Sequence, residues 1–331
     1  MLKGGSRALL DAIGFSKLAF EFSLPIPIAW QLSLDYNLKN MQKKQLFTVY
    51  KALECRPDNY QDWYRMGDAL RLQGNHREAL LSYEKAIEYY PRDYWAWYKR
   101  GMTLEELGRY EEAAASYEIA SIVQPNNYWS WYDRGCLCLE KLGDYEGAIS
   151  CFDKVLEAYP NDYWAHYRQG EAYRFAGNYE SAIACYDRAL EKRPNDYWSW
   201  YRRGDAFRSR GKLEESLTNY QKAVESKPQD YWAWYQQGVI LQQLQRYGEA
   251  ISCYQHALKV EPEDDYTHYN QACCQAALGK VNESLDSLEK AIDLYPEIYI
   301  ELAHSNGIFD DLRQKSRFEA LMAKSCHYRT D

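Results

Sequence analysis

Apolar and polar residues along this chain follow a helical rhythm that restarts every 34 residues. One phrase carries it most clearly. Asp93-Tyr94-Trp95-Ala96-Trp97-Tyr98 returns as Asn127-Tyr128-Trp129-Ser130-Trp131-Tyr132, and again from Asp162, Asp196 and Asp230, with weaker copies from Asn59 and Asp264. Pro57, Pro91, Pro125, Pro160, Pro194, Pro228, Pro262 and Pro296 punctuate it at intervals of 34, with one interval of 35 between Pro125 and Pro160. Counting each unit from the residue after the Asp or Asn, positions 1, 4, 8 and 11 share one face of a helix, because each residue advances about 100°. The Asp or Asn sits where an N-cap belongs, just after the proline that stops the preceding helix. Gly74, Gly108, Gly143, Gly177, Gly211 and Gly279 stand where a first helix should end in a left-handed residue. Gln245 takes that place in the sixth unit, so a strained turn is expected there. The extra residue of the third unit lies between Gly135 and Gly143, at the end of its first helix, where an insertion is absorbed most easily.

Each unit therefore predicts a helix, a tight turn and a second helix. Small residues at positions 8, 20 and 27 let the two approach, and aromatics at positions 4 and 24 fill the space beside them. In the second unit these slots are Trp97, Gly101, Leu104, Gly108, Ala113, Tyr117, Ala120 and Pro125. The period and these slots resemble the tetratricopeptide repeat. The likeness covers Tyr60 to Ile298 as seven repeats, preceded by a half repeat over 41–59, with a non-repeat segment over 1–40 and a capping helix and tail over 299–331. In the cap, Phe309, Leu312, Phe318 and Leu321 are expected to cover the last repeat. The resemblance implies an all-α fold, a right-handed superhelical solenoid of tandem antiparallel helix pairs, and a role in holding other proteins. Polar residues at position 7 (Arg100, Arg134, Gln169, Arg203, Gln237, Gln271) depart from the family's usual aliphatic choice and resemble the style of cyanobacterial arrays.

In this family the stripe at positions 2, 5, 9 and 12 lines a concave groove. Here position 2 is Trp95, Trp129, Trp164, Trp198 and Trp232, and position 5 is Tyr64, Tyr98, Tyr132, Tyr167, Tyr201 and Tyr235. Arg174 and Arg208 stand at position 12. Rigid aromatics accompanied by Arg are favoured anchors at interfaces, so these residues are the candidate partner-binding set. The regular spacing also suits tryptophans that merely pack against the preceding repeat, and tyrosines whose hydroxyls seek a wet edge. The family's site for acidic C-terminal tails needs Lys at position 5 and Asn at position 9; this chain has neither.

Composition narrows the function classes. The net charge of −8 lacks the basic surplus that non-specific nucleic-acid binding requires. Nine cysteines without framework spacing, three of them (Cys151, Cys185, Cys253) in the same slot, read as small buried residues of a reducing, cytoplasmic compartment. No phosphate loop, nucleophile elbow or metal-ligand spacing occurs, and His166 and His268 stand at position 4 as substitutes for Trp, so no catalytic role, cofactor or metal is expected. No uninterrupted apolar run of about 18 residues suggests a membrane span. The N-terminal segment is nonetheless apolar (Leu9, Leu10, Ile13, Phe15, Leu18, Phe20, Phe22, Leu24). It is expected to dock on the repeats, with a membrane-surface contact through residues 8–28 as the alternative. The readings that follow are a scaffold holding a peptide or helix of another protein, a small-ligand or carbohydrate carrier using tryptophan faces, or a regulatory module of a separate enzyme. Self-association is compatible with all three.

Overall fold

The computed structural model describes residues 59–323. The segment 1–40, the half repeat up to residue 58 and the tail from residue 324 lie outside the described residues. Among those described there is no strand, and helices follow one another as packed pairs. A first compact unit, ending at Ala176, holds α1 (Tyr60–Leu72), α2 (His76–Tyr89), α3 (Tyr94–Glu106), α4 (Tyr110–Val123), α5 (Tyr128–Leu137), α6 (Tyr145–Ala158) and α7 (Tyr163–Phe175). A second, beginning at Gly177, holds α8 (Tyr179–Lys192), α9 (Tyr197–Ser209), α10 (Leu213–Ser226), α11 (Tyr231–Gln243), α12 (Tyr247–Val260), α13 (Asp265–Ala277), α14 (Val281–Leu294), α15 (Pro296–Ser305), a 3-10 turn (Gly307–Leu312) and α16 (Ser316–Ala323).

Three local devices recur. First, the N-cap carboxylate accepts a backbone N–H from the first turn: Asp93 from Ala96, Asp162 from Ala165, Asp196 from Ser199. Each such cap is worth about 1 kcal/mol. The same carboxylate also receives the position-1 tyrosine of the repeat before it, Tyr60 to Asp93 at 2.5 Å and Tyr197 to Asp230 at 2.5 Å. One side chain thus starts a helix and joins two repeats. Second, the position-4 indole N–H donates to the carbonyl of the proline that ended the preceding helix, as in Trp97 to Pro91 (2.9 Å), Trp131 to Pro125 (3.0 Å) and Trp234 to Pro228 (2.9 Å). His166 and His268 make the same bond through Nε2 to Pro160 and Pro262, each at 2.9 Å. They replace Trp in chemistry as well as in place, and burial holds His268 below the ordinary imidazole range. Third, the turn glycines are left-handed, with φ between 66° at Gly143 and 79° at Gly74, and Gln245 is forced into the same region at φ 59°.

The added residue of the third repeat is taken up as a π turn, Cys138–Leu142, continuing α5. Widening one turn keeps the downstream register and leaves Gly143 still able to end the helix.

Packing within a pair turns on position 8 against position 24. Tyr83, Tyr117, Tyr186, Tyr220 and Tyr254 are fully buried, and the ring lies so close to the facing glycine that an added Cβ at Gly101 would meet the Tyr117 ring at 2.7 Å. The hydroxyl still finds a partner on the first helix: Tyr83 donates to Asp68 (2.7 Å), Tyr117 to Glu105 (2.8 Å), Tyr220 to Asp205 (2.6 Å) and Tyr254 to Gln242 (2.8 Å). The polar position 7 also has a partner, sixteen residues back on the preceding second helix. Arg100 pairs with Glu84 (3.0 Å), Arg134 with Glu118 (3.1 Å), Gln169 with Asp153 (2.6 Å), and Arg203 with Asp187. Where that earlier slot holds Gln221 or Gln255, position 7 is Gln237 or Gln271, so donor and acceptor change together.

At the C-terminal end Phe309, Leu312, Phe318 and Leu321 are buried against the last pair. The capping helix starts at Pro296, three residues before the expected 299. Proline is accepted in a first helical turn, where its missing N–H has no partner to lose.

Candidate functional site

In each of the two units, first helices carry tryptophans at position 2. Trp95, Trp198 and Trp232 leave 42%, 48% and 57% of their surface exposed, while Trp129 and Trp164 are half-buried. Each indole stands edge-on against the position-1 tyrosine of its own helix, with centroids 5.0 Å apart for Tyr94–Trp95, 4.9 Å for Tyr197–Trp198 and 5.1 Å for Tyr231–Trp232. A second edge contact, 5.9 Å from Trp95 to Tyr98 and 6.2 Å from Trp198 to Tyr201, further limits its rotamers. The exposed tryptophans are therefore held in place by their own helix and keep surface toward solvent.

The position-5 tyrosines are placed differently from the groove expectation. Tyr98, Tyr132 and Tyr201 are 8%, 1% and 7% exposed, and Tyr64, Tyr167 and Tyr235 are half-buried. The reason is that a first helix packs on its own second helix and on the repeat before it, so its buried arc reaches past positions 1, 8 and 11 to take in 3, 5 and 10. What these tyrosines contribute is a hydroxyl to position 6 of the next repeat: Tyr98 donates to Asp133, and Tyr235 accepts from Asn270 at 3.2 Å. Position 13 (Leu72, Glu106, Glu140, Phe175) is exposed, as are Trp95, Trp198 and Trp232 at position 2, while position 6 is half-buried in every repeat after the first. Position 6 was missed, although its i+4 spacing from position 2 was available in the sequence.

The candidate arginines are engaged. Arg174 meets Glu171 through two bonds of 3.2 Å and lies 4.2 Å over the Phe175 ring. Arg208 donates to Gln236 at 2.6 Å, beside Asp205. Arg202, at position 6, lies 5.8 Å over Trp198 and pairs with Asp205 at 3.2 Å, putting a cation beside an exposed indole.

Charge along the stripe is uneven. Glu106 is met by Arg71 (3.1 Å) and His76 (2.7 Å), and Glu140 by Arg168 (2.8 Å). Glu105 and Asp133 are half-buried. Burial and the Glu106 and Glu140 carboxylates raise the Glu105 carboxyl, and burial carries Asp133 to about 7 against the opposing bond from Tyr98. The seven described cysteines are free thiols, among them Cys253, Cys273 and Cys274, pushed by burial to about 12 and so inert as nucleophiles. Among the described residues no cluster could hold a metal ion, and no helix is long and apolar enough to cross a membrane.

Two family models, both described as Tetratricopeptide repeat, match this chain, one over residues 64–127, 105–163, 139–197 and 167–231, the other over 230–298. Among solved structures, a tetratricopeptide repeat protein from Parabacteroides merdae aligns at TM-score 0.53 and 19% identity, over 74% of this chain and 97% of that one. YrrB, described as a TPR protein with an unusual peptide-binding site, aligns at TM-score 0.51 and 22% identity, over 58% of this chain and 99% of its own. At such identities the likeness is one of fold. No curated protein matches.

Proposed function

Because the chain belongs to the tetratricopeptide repeat family, a fold of protein-interaction scaffolds, we propose that it is a non-catalytic scaffold that holds a peptide or helix of another protein at tryptophans carried by its first helices. The observation that carries this reading is the exposure of Trp95, Trp198 and Trp232 at one position of the second, fifth and sixth repeats, each ring fixed by neighbouring tyrosines. Large apolar side chains held rigid and left in water gain most from a partner, since little rotamer freedom remains to be lost. YrrB, with its peptide-binding site, is a precedent for the use of such a fold. The anchoring set is then Trp95, Trp129, Trp164, Trp198 and Trp232, with Arg202 beside Trp198 and the position-5 tyrosines as their support.

The test is capture of partners from the source cell extract by the wild type and by Trp95→Ala/Trp198→Ala/Trp232→Ala, with helicity checked by circular dichroism. Defined proteins held by the wild type and lost from the variant support the reading. Partners retained equally by both refute it. A carbohydrate carrier would use the same indoles, so a change in tryptophan emission on adding soluble oligosaccharide, with no captured protein, would favour that alternative.

A further inference from the structure

The third repeat differs from the others where its two helices cross. Cys138 stands at position 11 and Cys151, on α6, at position 23, the extra residue left uncounted. In the second repeat these positions hold Leu104 and Ser116, and in the sixth Leu241 and Cys253. Position 23 faces position 7 of the paired helix: Ser116 accepts from Arg100, and Asn219 from Arg203. Position 11 lies one helical turn beyond position 7 on the same side, so a cysteine there is carried toward position 23. Gly135 shows how near α6 comes, since a Cβ added to it would lie 3.2 Å from the Cβ of Cys151. The π turn that absorbs the extra residue begins at Cys138, whose carbonyl accepts the amides of both Gly143 and Asp144 and so fixes the backbone there. Held in this way, the two thiols hydrogen-bond one another. That bond, with Cys151 donating, keeps the Cys138 thiol below its ordinary range and lifts the thiol of Cys151. Burial acts the other way and pushes the Cys253 thiol up. Cys138 and Cys151 are each 3% exposed, so only a small reagent reaches them.

We propose that Cys138 and Cys151 are a reversible dithiol–disulfide couple, a modification site at which hydrogen peroxide cross-links the π turn to α6. The Cys138 thiolate sulfur attacks one peroxide oxygen and the O–O bond breaks. The leaving oxygen takes the Cys138 proton and departs as water, and Cys138 becomes a sulfenic acid. The Cys151 sulfur then attacks the sulfenic sulfur. The S–O bond breaks, its hydroxyl takes the Cys151 proton and leaves as a second water, and the S–S bond forms. The two thiols lose two electrons, which the peroxide gains. A small dithiol reverses the bond by exchange. The proposal stands apart from the scaffold reading.

The experiment treats the full, folded chain with hydrogen peroxide, blocks the remaining thiols with N-ethylmaleimide after unfolding, and reads tryptic peptides by mass spectrometry. Cleavage after Arg134, Lys141 and Lys154 places Cys138 and Cys151 on separate peptides, 135–141 and 142–154. These two should appear joined, lighter than their sum by two hydrogens, and should separate on adding dithiothreitol. Fragment ions should place the link at Cys138, and Cys253, which has Leu241 rather than a cysteine at position 11, should carry maleimide. Cys136→Ser should keep the link and Cys138→Ser should abolish it. Recovery of both cysteines as maleimide adducts, a link through Cys136, or a link formed only in the urea-unfolded chain would each overturn the couple. The wild-type fragment ions decide the matter even where the Cys138→Ser chain fails to fold.

Discussion

The close approach of position 8 to position 24 allows a graded test of what sets the distance between paired helices. Gly238 faces Tyr254, and a Cβ added there would lie 2.5, 2.8 and 3.0 Å from three ring atoms. At Gly204 the corresponding distances to Tyr220 are 3.0, 3.1 and 3.3 Å. Replacing an interior helical glycine by alanine favours the helix by about 1 kcal/mol. Forcing a methyl into a filled core costs about 1–3 kcal/mol. With a fully buried ring that cannot swing aside, the clash prevails at Gly238, and Gly238→Ala should destabilise by about 1–2 kcal/mol. At Gly204 the two effects should nearly cancel. The seventh repeat already contains the compensated form, Ala272 facing Leu288 in place of Gly facing Tyr. Tyr254→Leu should therefore rescue Gly238→Ala: the double variant should be more stable than the sum of the singles by at least about 1 kcal/mol. Urea denaturation followed by circular dichroism reads this as midpoint differences, a suitable quantity because repeat arrays need not unfold in one step. If Gly238→Ala matches or exceeds wild type, or if the two changes are additive, the ring-on-glycine contact does not set the spacing.

Other outcomes follow from the same structure. Gln245→Gly should stabilise by about 1 kcal/mol by removing a left-handed non-glycine residue, and an unchanged urea midpoint would count against strain at that turn. His268→Trp should be tolerated, whereas His268→Phe loses the bond to Pro262 and should cost about 1 kcal/mol; equal thermal midpoints for the two would disprove the substitution argument. Burial lifts Asp133 from 3.8 to about 7, so the folded chain keeps a proton that the unfolded chain has lost between those values. Its contribution to stability must then fall as pH rises through that window. Asp133→Asn should flatten the dependence of urea midpoint on pH there, and an unaltered slope would refute the assignment.

Much of this architecture is local and was legible along the chain. N-caps, turn glycines, proline stops and small residues facing rings act within one helix or one pair, so a 34-residue period reports them directly. The strain at Gln245 and the role of His166 and His268 follow from the slot each occupies. The paired exchange between position 7 and the slot sixteen residues before it was equally present in the sequence, but it becomes visible only when two helices of successive repeats are set side by side. The sequence could not say that position 5 turns inward while position 2 keeps surface toward water, because the outcome depends on how far neighbouring helices wrap around each first helix. That packing buries Tyr98, Tyr132 and Tyr201 and leaves Trp95, Trp198 and Trp232 outside. Helix, turn and pair are fixed by contacts between residues near in sequence; the chemistry of the exposed face arises from contacts between repeats, which only the tertiary structure decides.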